Sequence, residues 1–147
     1  MAVSFQNADI ELRLPGKAIL KKFIAAGFEK ETSKKLSASY IFCSDEYLLR
    51  INQDFLKHDF YTDIITFPLS YSEKKVSAEV YISIDRITDN ASRLKVPFDQ
   101  ELYRVIFHGV LHLIGYNDKT NAGKETMRKM EDKWIRDFEK TKKGKKT

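Results

Sequence analysis

Two histidines and an aspartate are the residues whose types and spacing point to chemistry. His108 and His112 stand four apart in His108-Gly-Val-Leu-His112. On a helix, residues at that spacing share one face, so both imidazoles can reach one cation. Neutral imidazole suits zinc and the other late first-row divalent metals. Two ligands hold a catalytic ion poorly, so a third is expected soon after. Metzincin-type zinc sites place it six residues past the second histidine, with a glycine three past it. Asp118 and Gly115 occupy those places. A set of His108, His112 and Asp118 leaves a fourth position open for water, the catalytic arrangement of zinc. The expected cofactor is one Zn2+ ion, with another divalent metal as the alternative. The bland reading of the same spacing is two helical histidines that meet polar partners.

An absence narrows the chemistry. Zinc peptidases of this spacing carry Glu beside the first histidine as general base. Gly109 stands there. A peptidase mechanism with a helix-borne carboxylate base is therefore not expected. Any activated water would lose its proton to the ion's own effect or to a group from elsewhere.

The element that must position these residues is a helix over Asp99–Ile114. Asp99 and Glu101 lie in its first turn, where acids suit a helix N-terminus. At about 100° per residue, Leu102, Val105, Ile106, Val110 and Leu113 make one apolar stripe. Tyr103, Phe107, Leu111 and Ile114 cover most of the rest. Only Glu101, Arg104, His108 and His112 form a polar strip. Such a helix belongs in the middle of a domain, with its polar strip facing a cleft or an ion. Gly115 is placed to end it in a left-handed conformation.

The flanking pattern supplies the scaffold. Strands are predicted at Val3–Gln6 (with an extension through Ile10–Arg13), Leu36–Cys43, Ile64–Leu69 closed by Pro68, and Ala78–Asp85, where Val80, Ile82 and Ile84 share a face. A helix opens near Pro15 and Gly16, carries Ile19, Leu20, Phe23 and Ile24, and ends at Gly27. Ser44 or Asp45 caps a helix carrying Tyr47, Leu48, Ile51 and Phe55. Helices follow at about Arg86–Leu94, broken before Pro97, and Ala122–Glu139 with Met127, Met130, Trp134, Ile135 and Phe138 as core. Strands and helices intermix without strict alternation, which points to one sheet packed by helices, α+β or mixed α/β.

Composition bounds the class. The chain has 147 residues, 42% of them apolar, with 10 Phe, 7 Tyr and 1 Trp. That suits one domain with a packed core and excludes full disorder. One cysteine, Cys43, excludes an intrachain disulfide and a cysteine zinc site. No run of about 18 apolar residues and no secretory signal pattern is visible, so a cytoplasmic protein without a membrane span is expected. The net charge is +5, yet Arg136–Thr147 holds six basic and two acidic residues. The basicity thus belongs mainly to the end of the chain. Residues 1–139 are expected as the domain and 140–147 as a basic flexible tail. That tail reads either as a frayed terminus or as a phosphate-binding arm.

His108-Gly-Val-Leu-His-Leu-Ile-Gly-Tyr116 closely resembles the HGxLHLxGYDH signature of the YbeY family of ribosomal-RNA maturation factors. Thr62-Asp-Ile-Ile-Thr-Phe67 is similar to the family's TDVLSF strand, with Ile51-Asn52 upstream where Leu-Asn is usual. Ala78-Glu-Val-Tyr-Ile-Ser83 resembles its GDIxIS strand. The likeness runs from about Ser44 to Trp134. It implies a single α+β domain with a small, mostly four-stranded mixed sheet packed by helices, and a metal site on a central buried helix. It also implies a zinc-dependent endoribonuclease in small-subunit rRNA 3′-end maturation and ribosome quality control. The implied partners are an rRNA precursor and the small ribosomal subunit, and the expected state is a monomer.

The sequence departs from the family at two places. Asp118, preceded by Asn117, stands where the third ligand is usually His. Carboxylate is a competent zinc ligand; the other reading leaves that third place vacant. His58 is a substitute ligand or an ordinary loop residue. Leu56 stands where the family commonly has an arginine able to clamp phosphate. Lys57 and Arg104 are the nearest replacements, and each also suits a surface or salt-bridge role, Arg104 with Glu101. Asp63, opening the second matched strand, either works in the cleft or makes a turn hydrogen bond. The expected site is thus Asp63 and Arg104 as catalytic groups, His108, His112 and Asp118 on the metal, and Lys57, Lys142 and Lys143 on RNA. Two rivals stand beside it: a non-catalytic ribosome-assembly factor with a structural metal, and a zinc hydrolase of a small substrate.

Overall fold

The computed structural model describes residues 3–146, with side chains through Gly144. Four alternating segments form one sheet: β1 (Val3–Asn7), β2 (Lys35–Cys43), β3 (Ile64–Tyr71) and β4 (Lys75–Ser83). Their order is β1-β2-β4-β3. β1 pairs with β2 and β2 with β4 in parallel, whereas β3 runs antiparallel to β4. Five helices surround it: α1 (Lys17–Thr32), α2 (Asp45–Ile51), α3 (Ile84–Leu94), α4 (Phe98–Ile114) and α5 (Asn121–Lys146). A π-helical turn, Asn52–Leu56, continues α2. The chain is α+β with a mixed four-stranded sheet, as the residue pattern and the family likeness imply.

Alternation decides which face is buried. Leu36, Ala38, Tyr40 and Phe42 of β2 and Val76, Ala78, Val80 and Ile82 of β4 join the main core. α4 lies against that core with Leu102, Val105, Ile106, Phe107, Val110 and Leu111 buried. Tyr40, fully buried, donates its hydroxyl to the Ile106 carbonyl at 3.1 Å and so ties sheet to helix. Phe23 of α1, Phe107 of α4 and Trp134 and Phe138 of α5 pack in tilted and edge-to-face pairs at 5.2–5.9 Å. This aromatic knot fixes α5 across α4. On the other sheet face, Cys43, Leu48 and Ile65 form a smaller cluster under α2.

Several boundaries differ from the sequence reading, each for a local reason. Ile10–Arg13 forms no strand. α1 runs five residues past Gly27 and stops at Ser33, whose φ is 61°. Gly27 is a packing residue: a Cβ there would lie 2.6 Å from the Trp134 ring. β3 passes through Pro68 to Tyr71, with a register irregularity between Pro68 and Ser70. β3 is an edge strand, where a residue without an N–H is tolerated. β4 ends at Ser83, whose hydroxyl accepts from the Arg86 amide and starts α3. α5 continues through Lys146, so the helix extends into the basic segment set apart above as a tail; Thr147 lies outside the described residues.

Two outcomes follow from this packing. Gly27→Val should cost about 2 kcal/mol in urea unfolding, because overpacking against Trp134 outweighs the small gain in helix propensity. Cys43 should resist iodoacetamide in the folded protein and react once unfolded. Burial first, then the charges of Asp9, Asp45 and Asp85, push its thiol up to about 12.

Candidate metal centre

The polar strip of α4 meets α5. Glu131, on the core-facing stripe of α5, is 5% exposed. It accepts from His108 Nδ1 on Oε2 at 2.7 Å and from Arg104 Nη1 on Oε1 at 3.0 Å. Arg104 Nη2 donates to Asp132 Oδ1 at 2.8 Å, and its Nε lies 3.9 Å from buried Glu101 Oε1. Burial acts against the charged forms of Arg104 and His108. Hydrogen bonds and charges outweigh it, from Asp132 and Glu131 for Arg104, and from Glu131, Asp118 and Asp63 for His108. Both groups therefore hold their protons more tightly than usual.

These bonds determine which ring nitrogens face the cavity. Nδ1 of His108 is taken by Glu131, so Nε2 turns to the other side, where Asp118 Oδ2 lies 3.6 Å away. That exceeds a direct hydrogen bond. His112 Nδ1 faces the Tyr116 carbonyl at 2.9 Å. A carbonyl only accepts, so Nδ1 carries the proton and Nε2 keeps its lone pair. The Tyr116 carbonyl is presented by the bend at Gly115, whose φ of 130° closes α4 and whose N–H donates to the Leu111 and His112 carbonyls. Orientation of an imidazole through Nδ1 by a carboxylate or a carbonyl is the usual outer-shell device of metal-ligating histidines.

A cavity of about 360 Å³ lies in front of these groups, lined by His108, His112, Asp118 and Asp63 together with Asn52, His58, Phe60 and Leu56. Asp63 Oδ2 accepts from Asn90 at 3.3 Å, and its carbonyl accepts from the Ser83 amide. Burial holds the Asp63 carboxyl above its usual range, only partly offset by His108 and Asn90. Asn52, buried, donates to the Phe60 carbonyl at 2.8 Å and so pins the loop after the π-turn. His58 stacks on Phe60 in that loop at 5.2 Å.

The structure thus brings His108 and Asp118 together and sets the His112 ring 5.9 Å from that of His108. Among the described residues, no three His, Cys, Asp or Glu side chains are gathered closely enough to hold an ion without adjustment. The donor chemistry nonetheless fits a divalent cation. Glu101, Glu131 and Asp132 gather around the Arg104 guanidinium, and Asp63 and Asp118 lie on the cavity side of His108. So many carboxylates favour positive charge nearby, and two imidazoles line the same space as Asp63 and Asp118. Gly109 also has a packing reason. A Cβ would lie 3.0 Å from Ile64 Cδ1 and 3.3 Å from Val80 Cγ1, so any larger side chain there has to push these two aside.

The other predicted residues lie as follows. Arg104 is occupied by Glu131 and Asp132 and acts on His108 through Glu131. Lys57, with φ 59°, donates to the Asp54 carbonyl and lines neither this cavity nor its neighbour. Lys142 packs over the Tyr103 and Phe138 rings at 4.8 and 5.0 Å and pairs with Glu139. It sits about 16 Å along α5 from Glu131 by helix rise, and Lys143 follows it on the exposed side. Glu131 and Asn90 are residues that sequence reasoning missed. A signal for Glu131 existed: it falls between Met127, Trp134 and Phe138 on the apolar stripe, where a carboxylate is out of place.

Comparison with known proteins identifies the family and the fold. A family model described as Endoribonuclease YbeY matches residues 3–139. An endoribonuclease YbeY from Cytophaga hutchinsonii is 46% identical over 130 residues, 88% of this chain and 91% of its own. One from Amoebophilus asiaticus is 44% identical over 123 residues, 84% of each. The solution structure of a Thermotoga maritima protein shares the fold, with a TM-score of 0.62 at 23% identity over 92% of this chain and 88% of that one.

Glu131→Ala should destabilise the protein by about 3 kcal/mol in urea unfolding, because it strips the carboxylate from a partly buried guanidinium and imidazole. Lys133→Ala, removing an exposed i,i+4 pair with Asp137, should change stability by less than about 0.5 kcal/mol.

Proposed function

This chain belongs to the YbeY endoribonuclease family and is a nuclease acting on RNA, and from that premise we propose that it is a metal-dependent endoribonuclease of ribosomal-RNA precursors. Its ligands for one zinc ion are His108, His112 and Asp118. Its setting is the cytoplasm, as a monomer acting with the small ribosomal subunit in rRNA 3′-end maturation and ribosome quality control. The observation that supports this most is the pair of imidazoles, each oriented by a hydrogen bond at Nδ1, lining one cavity with Asp118. When bound, the ion would supply a Lewis acid and a charge against which a phosphate oxygen can develop negative charge.

The chain's own residues do the rest. Glu131 keeps the His108 ring turned toward the cavity, and Arg104 keeps Glu131 in place; Arg104 is thus a positioning residue. Asp63, held by Asn90 and made a stronger base by burial, is the carboxylate that takes the proton of the attacking water in this reading. Asn52 holds the aromatic loop at the cavity mouth.

One observation favours a second reading, an assembly factor with a structural metal. Leu56 lines the cavity and Arg104 is occupied by Glu131 and Asp132, so among the described residues no arginine lines the cavity itself. The two readings separate experimentally. Metal content by mass spectrometry should give about one ion per chain for the wild type and little for His112→Ala, and RNA cleavage should fall at least about 100-fold in that variant. A wild type that binds metal and ribosomal particles but never cuts RNA, with His112→Ala lowering only the melting temperature, would favour the structural reading.

A further inference from the structure

The space around the candidate centre continues beyond Asp118. His108 and Asp118 also line a second cavity of about 340 Å³, whose remaining walls are Lys124, Met127, Arg128 and Glu131 of α5. Lys124, Arg128 and Glu131 are spaced four and three residues apart and so share one stripe of that helix. The stripe begins at the residue that orients His108 and carries two cations over the next two turns. Both are exposed. Among the described residues neither makes an ion pair within 4.0 Å, in contrast to Arg104, Lys129 and Lys133. They are also the only Lys or Arg among the described residues that line either cavity.

Charge gives these two side chains a task. The centre is rich in carboxylates, and a polyanionic strand approaching it meets repulsion from Asp63, Asp118 and Glu131. The other predicted RNA contacts do not relieve this, since Lys57 and Lys142 are turned to a backbone carbonyl and to Glu139. Lys124 and Arg128 sit on the rim beside His108, and among the described residues neither is drawn into an ion pair within 4.0 Å. A Lys and an Arg about 6 Å apart along the axis present a point charge and a planar fork.

We propose that Lys124 and Arg128 form the phosphate-binding rim of the active cleft, gripping the RNA backbone beside the cleaved linkage on the α5 side. This rests on the endoribonuclease reading and adds the residues that hold the substrate. The contacts are to backbone phosphate, so they act on all sequences alike.

The test uses the full-length, metal-loaded protein and a fluorescein-labelled single-stranded oligoribonucleotide. Binding is followed by anisotropy across a salt series, and cleavage by gel under the same conditions. The variants are Lys124→Gln/Arg128→Gln, the charge-preserving Lys124→Arg/Arg128→Lys, and Lys17→Gln/Lys22→Gln on exposed α1 positions as an equal charge change elsewhere. The first should raise Kd about tenfold, flatten the salt dependence by about 1.4 in log–log slope for two lost contacts, and raise KM far more than it lowers kcat. Its metal content and melting temperature should match the wild type, and the charge-preserving pair should restore most of the affinity. If the wild type binds RNA and the glutamine pair at 124 and 128 behaves like the α1 control, the rim assignment is overturned and the endoribonuclease reading stands. If the wild type neither binds nor cuts RNA, that reading falls and the rim with it.

Discussion

The bonds from His108 and Arg104 to the buried carboxylate of Glu131 are the contact on which the rest of the site depends. A carboxylate with almost no access to water is tolerable only where charged donors replace its hydration. Glu131 finds them on α4, one turn apart. The same bonds set the two rotamers that matter: the His108 ring turns its second nitrogen to the cavity, and the Arg104 guanidinium is drawn away from it. Removing one member leaves a buried charge without a partner, which costs more than the intact set contributes. The aromatic knot of Phe23, Phe107, Trp134 and Phe138 holds α5 at the distance these bonds require. Core packing and site geometry are therefore one constraint.

Much of this is legible in the sequence, and the parts that are not share a cause. The α4 helix, its polar strip and its glycine stop follow from periodicity within one segment, and the structure has them where the pattern places them. The three candidate ligands follow from spacing within the same eleven residues. What escaped depends on contacts between distant segments. Gly27 reads as a helix stop until the Trp134 ring is seen against it. Pro68 reads as a strand end until β3 proves to be an edge. Arg104 reads as a phosphate clamp until α5 brings Glu131 and Asp132 to it. Lys142 reads as part of an arm until its position over Tyr103 is known. Local pattern reports a residue's face; only tertiary structure reports its partner.

The charge distribution connects the fold to RNA chemistry. Asp63 and Asp118 line the cavity in front of the two imidazoles, and in the proposed reading a cation would stand between them and a phosphodiester. Membership of the YbeY family accounts for the RNA substrate class, and the imidazole pair with Asp118 supplies suitable ligands for that cation. Gly109, packed against Ile64 and Val80, stands where a zinc peptidase carries its glutamate base. Asp63 lines the same cavity, held from behind by Asn90.

X-ray absorption at the zinc edge on the loaded protein tests the centre most directly. The expected spectrum has two imidazole nitrogens and a carboxylate oxygen in the first shell, with one imidazole lost in His112→Ala and the oxygen contribution altered in Asp118→Ala. A spectrum free of imidazole scattering, or unchanged by both substitutions, would contradict a metal held by His108, His112 and Asp118.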